Sequence, residues 1–410
     1  MAARLNASFF TDDFKVSLKK LSASTLLIGG TLAWFFLLWN YLGPIFATFS
    51  PNWVEVGQLS FYVSAVVSAV VGIFVAREAD PKKFVWLWIT LGVLSTIILA
   101  LSLGSVFSFF SAVLLGVSFG LGFPTSLAFF AENTVAAERA RVAGITILVT
   151  FILVVMAIMV PSIVSIGLFG TLLLIAAVRS ASFLSLFLDK SYFEKEKVKE
   201  THHFKPAYRD FAFYLFPWLI FHVAADLALY LIPSTIQFQA AYTFGNALRW
   251  PLIAIFGLIS GFTADRFGRK QGVVIGIVTL GIGFALLSLM IPLNVIIYFA
   301  FSGVAWGSLL AIYLAIPGDL ASFGAREQFY LLAVVVPVIL LGIFPLIPEL
   351  GILTKFGSPF SQILSVLLFL SVILIIQAKE TLPESETRSR KMKDYLRKVT
   401  KLIQDSKKSE

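Results

Sequence analysis

The chain has 410 residues, of which 58% are hydrophobic, 15% aromatic and only 13% charged, with a net charge of +9. Soluble domains carry about 45–50% apolar and about 25% charged residues, so a soluble globular fold is excluded. Cysteine is absent, which removes disulfides and thiolate metal sites, and three histidines (His202, His203 and His222) argue against a histidine metal centre.

The apolar runs reach the length of about 20 residues that a helix needs to cross hydrocarbon. The short alternating strands of a membrane barrel are missing. The basic residues lie in loops and tails rather than on one soluble face, so the bilayer, not nucleic acid, is the partner they imply.

Residues 1–21 form an N-terminal segment carrying Asp12 and Asp13, with Phe9, Phe10 and Phe14 suited to a membrane interface. The first apolar stretch, Leu21 to Phe49, is too long for a signal-peptide core and is expected to be a retained span. Turn signals and charges predict twelve spans: 22–48, 54–76, 84–103, 106–131, 142–163, 165–188, 211–233, 240–263, 271–290, 293–318, 328–348 and 359–378.

Loops after the even spans hold Arg77, Lys82 and Lys83; Arg139 and Arg141; Lys190, Lys195, Lys197, Lys199, Lys205 and Arg209; Arg266, Arg269 and Lys270; and Arg326. Loops after the odd spans hold only Lys355. The positive-inside rule therefore predicts that both termini are cytoplasmic. The expected architecture is an all-α membrane protein with twelve transmembrane helices in two pseudo-symmetric six-helix bundles, 22–188 and 211–378. They are joined by a cytoplasmic linker, 189–210, and followed by a basic tail, 379–410.

In that tail Met392, Tyr395, Leu396, Val399, Leu402 and Ile403 recur at helical spacing opposite Lys and Arg. It is expected either to lie on an anionic leaflet or to form a solvated or self-associating helix.

The two halves repeat. Gly72-Ile-Phe-Val-Ala-Arg77 aligns with Gly261-Phe-Thr-Ala-Asp-Arg266 at a separation of 189 residues. Glu132 and Arg139 align with Asp319 and Arg326 at a separation of 187. Two unrelated motifs thus agree within two residues.

The segment Gly261-Phe-Thr-Ala-Asp-Arg-Phe-Gly-Arg-Lys270, between two long apolar stretches, resembles the signature loop of the major facilitator superfamily. The fourth span, with Gly122, Phe123 and Pro124 followed by Glu132 and Arg139, is similar to that of sugar porters and of phosphate or organic-anion symporters. Glu380-Thr-Leu-Pro-Glu384 after the last span resembles the same branch. The resemblance implies a transporter, not an enzyme, without cofactor, acting as a monomer in the plasma membrane. It further implies that Gly261, Asp265, Arg266, Gly268, Arg269, Arg77, Glu132, Arg139, Asp319 and Arg326 form cytoplasmic charge latches. Departures are plain: Ala76 stands where the second half has Asp265, Gly122 replaces an acidic residue common in those symporters, and the first span has no carboxylate. The fifth span lacks the Gly-Pro pair of many drug antiporters.

Charges within a span are costly and are kept when paired, wetted or functional. Asp226 and His222 lie four apart on one face of the seventh span, and Asp226-Leu-Ala-Leu-Tyr230 resembles an element of phosphate symporters. Arg249, with Asn246 and followed by Trp250-Pro251, lies on the eighth span, at a depth differing from that of Asp226 by about 3 Å. Either the two form a structural ion pair, or Arg249 holds an anionic group while Asp226 exchanges a proton.

The resemblance places the first, fourth, seventh and tenth spans around a central cavity, adding Asn40, Trp34, Trp306 and Tyr313 as candidate substrate contacts. Arg179 on the sixth span is expected to snorkel towards the cytoplasmic surface. The Pro and Gly residues at 122–124 and 317–318 are candidate hinges. The function expected is secondary transport of a small polar or anionic solute (organic acid, sugar or phosphate-like), coupled to protons. A passive uniporter, an efflux antiporter and a non-transporting receptor or scaffold are the alternatives.

Overall fold

A computed structural model describes residues 16–50, 53–193, 207–233, 235–322, 325–343 and 355–383. Phe9, Phe10 and Phe14, the lysines at 195–205, Glu384 and the apolar face from Met392 to Ile403 lie outside the described residues. The helices in chain order are α1 (Leu18–Ala47), α2 (Val54–Glu78), α3 (Pro81–Leu101), α4 (Phe107–Glu132), α5 (Arg139–Val164) and α6 (Gly167–Leu188). They continue with α7 (Tyr208–Tyr230), α8 (Ile236–Phe267), α9 (Arg269–Leu287), α10 (Pro292–Leu320), α11 (Arg326–Ile343) and α12 (Gly357–Gln377). Among the described residues 11 of these are long and apolar enough to cross a membrane, and no strand occurs. The remaining one, α11, is described only to Ile343, so the expected span 328–348 is seen in part.

Local chemistry sets many of the ends. Pro81 occupies the first turn of α3, where its missing N–H costs nothing, and the Asp80 side chain caps that turn by accepting from the Lys83 N–H at 2.9 Å. Between α8 and α9 a single residue, Gly268, makes the turn at φ 108°, a conformation that favours glycine. Both α8 and α10 run beyond the expected apolar spans and carry Asp265 and Asp319 at their charged ends. The expected hinges do not unwind: α4 is continuous through Pro124, and α10 through Pro317. Gly122 and Gly318 there serve packing instead, since a Cβ would meet Trp88 in the first case and Ala131 and Tyr330 in the second.

Neighbour relations repeat six helices apart. α2 packs on α4, α3 on α4 and α6, and α1 on α5 and α6; correspondingly α8 packs on α10, α9 on α10 and α12, and α7 on α11 and α12. Contacts between the two sets are reciprocal too: α5 lies against α8 and α10, and α11 against α2 and α4. One buried apolar cluster is built almost wholly from residues 23–193 and a second from residues 211–378.

The tightest crossings rest on glycine pairs. Gly116 and Gly120 of α4 abut the backbone at Phe61, Ala65 and Ala69 of α2. Gly303 and Gly307 of α10 abut that at Arg249, Ile253 and Gly257 of α8. Each glycine has its counterpart 187 residues on and each partner 188 residues on, which extends the internal repeat into the helix interiors. Small residues let backbones approach where lipid offers no hydrophobic drive to association. The outer faces are apolar, with Val63, Val67, Val71 and Phe74 exposed on α2 and Ile363, Val366, Leu370 and Ile373 on α12. Such surface suits a hydrocarbon solvent.

Gly120→Leu or Gly307→Leu is expected to lower the thermal unfolding midpoint in detergent by at least about 3 °C, as overpacking of about 1–3 kcal/mol does. Gly43→Ala, whose Cβ would make only an ordinary 3.7 Å contact with Gln58, is expected to leave the midpoint in place.

Candidate functional site

At the end of the molecule that carries the basic loops, α4, α5, α8, α9, α10 and the segment after α12 converge on a buried ionic cluster. Asp319 at the foot of α10 is gripped from two sides. Arg139 Nη1, from the first turn of α5, bonds its Oδ1, and Arg269 Nε, from the first turn of α9, lies 2.5 Å from its Oδ2. Arg269 Nη2 also lies 3.1 Å from Asp265 Oδ1. Asp265 in turn accepts from the Ala140 and Arg141 N–H groups at 3.2 and 2.8 Å, and its Oδ2 lies 3.3 Å from Arg141 Nε. Asp265 thus sits at the N-terminus of α5, where backbone donors and the helix dipole favour a carboxylate.

Arg139 is fixed further by the Ala131 and Thr134 carbonyls at 2.7 and 2.8 Å and by Thr134 Oγ1 at 3.0 Å. The side chains of Arg139, Asp319, Asp265 and Arg269 are at most 4% exposed. Glu380 closes the rim by accepting from the Arg269 and Lys270 N–H groups at 2.9 and 3.2 Å, and Lys270 Nζ donates to the Ala378 carbonyl at 2.9 Å. Gly268 leaves the space that the Glu380 carboxylate fills, while Gly261 lets α8 approach Ala140 and Gly144 of α5.

Of the expected latch residues, Asp265, Arg269, Arg139 and Asp319 form one cluster. Arg77 instead pairs with Glu327 at 3.5 Å, at a half-exposed site between α2 and α11. Arg326 lies within electrostatic reach of Glu132, Arg139 and Asp319. Arg266 is exposed, with its guanidinium 5.6 Å from the ring centre of Phe267. Arg141 was missing from the expected set; its position in the first turn of α5, two residues after Arg139, was the available signal.

Deeper in the helices lies a cavity. Its walls include Phe35, Phe36 and Trp39 of α1, Phe151 of α5, Asp226 of α7, Arg249 and Trp250 of α8, and Trp306 of α10. Asp226 and Arg249 face this same cavity, yet no ion pair joins them: Asp226 Oδ2 and Arg249 Nε both lack a hydrogen-bond partner. The structural ion pair expected as one alternative is therefore not formed. The Arg249 guanidinium is surrounded by aromatic faces, 4.9 Å from Trp250, 5.6 Å from Phe299 and 5.9 Å from Trp39. Cations are attracted to ring faces, but far less strongly than to a carboxylate or phosphate.

A second cavity shares Phe35, Phe36 and Trp306 with the first. His222 and Tyr313 line it. Tyr313 stacks on Trp218 at 4.3 Å and donates its hydroxyl to the Tyr214 carbonyl at 2.6 Å, so it presents a ring, not a polar group. Both ring nitrogens of His222 are buried without a partner, between Trp218 at 4.2 Å and Trp306 at 4.9 Å.

Other expected contacts lie elsewhere. Trp34 points away from the cavities: its Nε1 donates to Thr96 at 2.9 Å, on α3. Asn40 and Asn246 are half-buried and do not belong to the walls of either cavity. Arg179 does not snorkel. It is fully buried against α1 and α3, its Nη1 donates to Thr31 Oγ1 at 2.5 Å, and its guanidinium lies over Trp88 at 4.3 Å and Trp34 at 5.2 Å. The physical reason is Gly92, whose missing side chain leaves the space that Arg179 Nε occupies.

Solved structures share this fold. The human organic anion transporter MFSD10 (TETRAN) superposes with a TM-score of 0.68 at 14% sequence identity, over 87% of this chain and 99% of that one. The proton:xylose symporter XylE of the major facilitator superfamily, bound to 6-bromo-6-deoxy-D-glucose, gives 0.64 at 13% identity, over 88% and 95% of the two chains. A double-tryptophan variant of XylE gives 0.69 at 13% identity, over 91% and 97%. No protein-family model and no curated protein matches the chain. The fold is that of major facilitator superfamily transporters, and the chain is a multi-pass membrane protein.

Removing one member of a buried ion pair costs about 3–5 kcal/mol, because the partner charge stays buried. Asp319→Asn leaves Arg139 and Arg269 facing each other without the carboxylate between them. The cysteine-free chain allows a single thiol to be placed at Ala131, buried where α4 meets Gly318 of α10. Asp319→Asn is expected to speed labelling of Ala131→Cys by at least about tenfold, the ratio that 1.4 kcal/mol gives. Unchanged labelling would show that the cluster does not hold this end shut.

Proposed function

We propose that the protein is a secondary transporter that moves a small anionic solute across the cell membrane by alternating access, with protons as the coupling ion. The observation that carries this reading is the unpaired Arg249. A guanidinium inside a membrane-spanning helix, ringed by aromatic faces and open to a cavity, has no ion pair to neutralise it: Asp226 lies within electrostatic reach across the same cavity but forms none with it. An anionic group entering the cavity supplies that neutralisation, and charge-assisted bonds to Arg are strong where water is scarce.

Asp226 provides the coupling in this scheme. When protonated it leaves Arg249 as the one charged group among the residues lining the cavity, and the anion binds there. The loaded site is then close to electrically neutral, which lowers the cost of moving it through the bilayer. Once Asp226 releases its proton, its carboxylate competes with the anion for Arg249 and favours unloading. Two six-helix halves, 22–188 and 211–378, rock about this site. The ionic cluster around Asp319 is the cytoplasmic latch, with the linker and both termini on the same side. While it holds, the cavity communicates with the other face, and it must open for cytoplasmic exchange. The likeness to a proton:xylose symporter and to an organic anion transporter supports this class of activity.

The test is reconstitution in proteoliposomes with a panel of carboxylates, phosphates, sugars and amino acids. An anion is expected to accumulate when a pH gradient is imposed. Asp226→Asn is expected to reduce that accumulation at least about tenfold while leaving anion-for-anion exchange intact, and Arg249→Ala is expected to remove both. Undiminished uphill uptake by Asp226→Asn would overturn the coupling role.

A further inference from the structure

The two cavities differ sharply in chemistry although they share walls. The one holding Asp226 and Arg249 combines charge with aromatic faces. The other is lined by Leu32, Phe119, Phe123, Leu127, Trp218, Leu310 and other apolar side chains. Its potential polar groups are largely spent: Trp218 Nε1 donates to the Ala333 carbonyl at 3.1 Å, Tyr330 to the Leu314 carbonyl at 2.8 Å, and Tyr313 to the Tyr214 carbonyl. His222 alone among these brings unpartnered polar atoms to this wall. It sits one helical turn from Asp226 on the same face of α7, about 6 Å along the axis, and Phe35, Phe36 and Trp306 border both spaces.

We propose that the two spaces are one site of two chambers, built for an amphipathic organic anion. Its acidic group is held at Arg249, and its flat apolar body passes between Phe35, Phe36 and Trp306 into the second chamber. There it stacks among Trp218, Phe119 and Phe123. His222, unpaired among those rings, meets a hydrogen-bonding atom on the body and serves as a specificity residue. This rests on the anion-transport reading and names the substrate class of that same site.

The physical basis is the cost of each part. A hydrophilic solute such as a sugar or inorganic phosphate would lose its hydration in the second chamber without recovering hydrogen bonds. An aromatic body loses nothing there, and it gains about 25 cal/mol for each Å² of apolar surface removed from water. An uncharged body of the same shape lacks the group that Arg249 requires. Head and body are therefore both needed.

The experiment measures dissociation constants by quenching of intrinsic tryptophan fluorescence in the purified full chain. The probes are lactate, phosphate, glucose, benzoate, biphenyl-4-carboxylate and the neutral biphenyl-4-carboxamide. Biphenyl-4-carboxylate is expected to bind at least about tenfold more tightly than lactate, and the amide at least about tenfold more weakly than the carboxylate. Leu310→Trp, which fills the second chamber, is expected to abolish the advantage of biphenyl-4-carboxylate over benzoate while leaving benzoate binding in place. If that variant does not fold, His222→Phe is the second handle. It is expected to spare biphenyl-4-carboxylate but to weaken binding of 4′-hydroxybiphenyl-4-carboxylate, which carries a polar atom on its body.

Equal affinity for lactate and biphenyl-4-carboxylate, tightest binding of phosphate or glucose, or tight binding of the amide would each overturn the two-chamber assignment. Accumulation of lactate or phosphate driven by a pH gradient, with biphenyl-4-carboxylate excluded, would overturn it while leaving the transport reading standing. If biphenyl-4-carboxylate binds as expected but no solute crosses the vesicle membrane, the transport reading fails instead.

Discussion

The two oxygens of Asp319 hold the charged end of the molecule together. One is bonded by Arg139 of α5, the other by Arg269 of α9, and Arg269 carries the link on to Asp265 and so to the N-terminus of α5. Arg139, Arg141 and Arg269 meet Asp265 and Asp319 in the buried part of the cluster, with Glu380 and Lys270 at its rim. Isolated buried charge is prohibitive, whereas buried charges that pair with one another are tolerable. Loss of Asp319 leaves Arg139 without a carboxylate and Arg269 with Asp265 alone, and a displacement of α10 breaks contacts with both α5 and α9 at once.

The duplication behind this cluster has been worked asymmetrically. In the second repeat the acid is on α8, at Asp265, and its cation is on α5, at Arg141. In the first repeat the polarity is exchanged: the cation, Arg77, is on α2 and the acid, Glu327, is in the first turn of α11. Ala76 is therefore not simply a lost latch residue. The attraction between halves survives there with its signs reversed, but at an exposed site where such a pair contributes about 0–1 kcal/mol.

Much of this was legible in the sequence because it depends on local pattern. Apolar length predicted the helices, loop charge predicted which ends gather, and motif offsets predicted the repeat that Gly116, Gly120, Gly303 and Gly307 then extended. What the sequence concealed depends on which way a side chain points around a helix. Arg179 read as a snorkelling surface cation because its depth was visible, but the empty space at Gly92 was not. Trp34 lay on the right helix and faced the wrong neighbour. Arg249 and Asp226 line one cavity without pairing, and the rings of Trp39, Trp250 and Phe299 around Arg249 are something no spacing rule encodes.

The missing carboxylates of the first and fourth helices acquire a physical meaning in this light. From α1 and α4 the cavities receive Phe35, Phe36, Trp39, Phe119 and Phe123, rings without ionisable groups. The carboxylate, imidazole and guanidinium of the walls, Asp226, His222 and Arg249, come from α7 and α8. In the proposed site the first half thus supplies aromatic walls and the second half the ionisable groups. Where one half is chemically passive, a ligand bound to both gains from the first half only by burying apolar surface. A solute that is charged at one end and apolar along its length draws on both contributions, and a uniformly hydrophilic one draws on one.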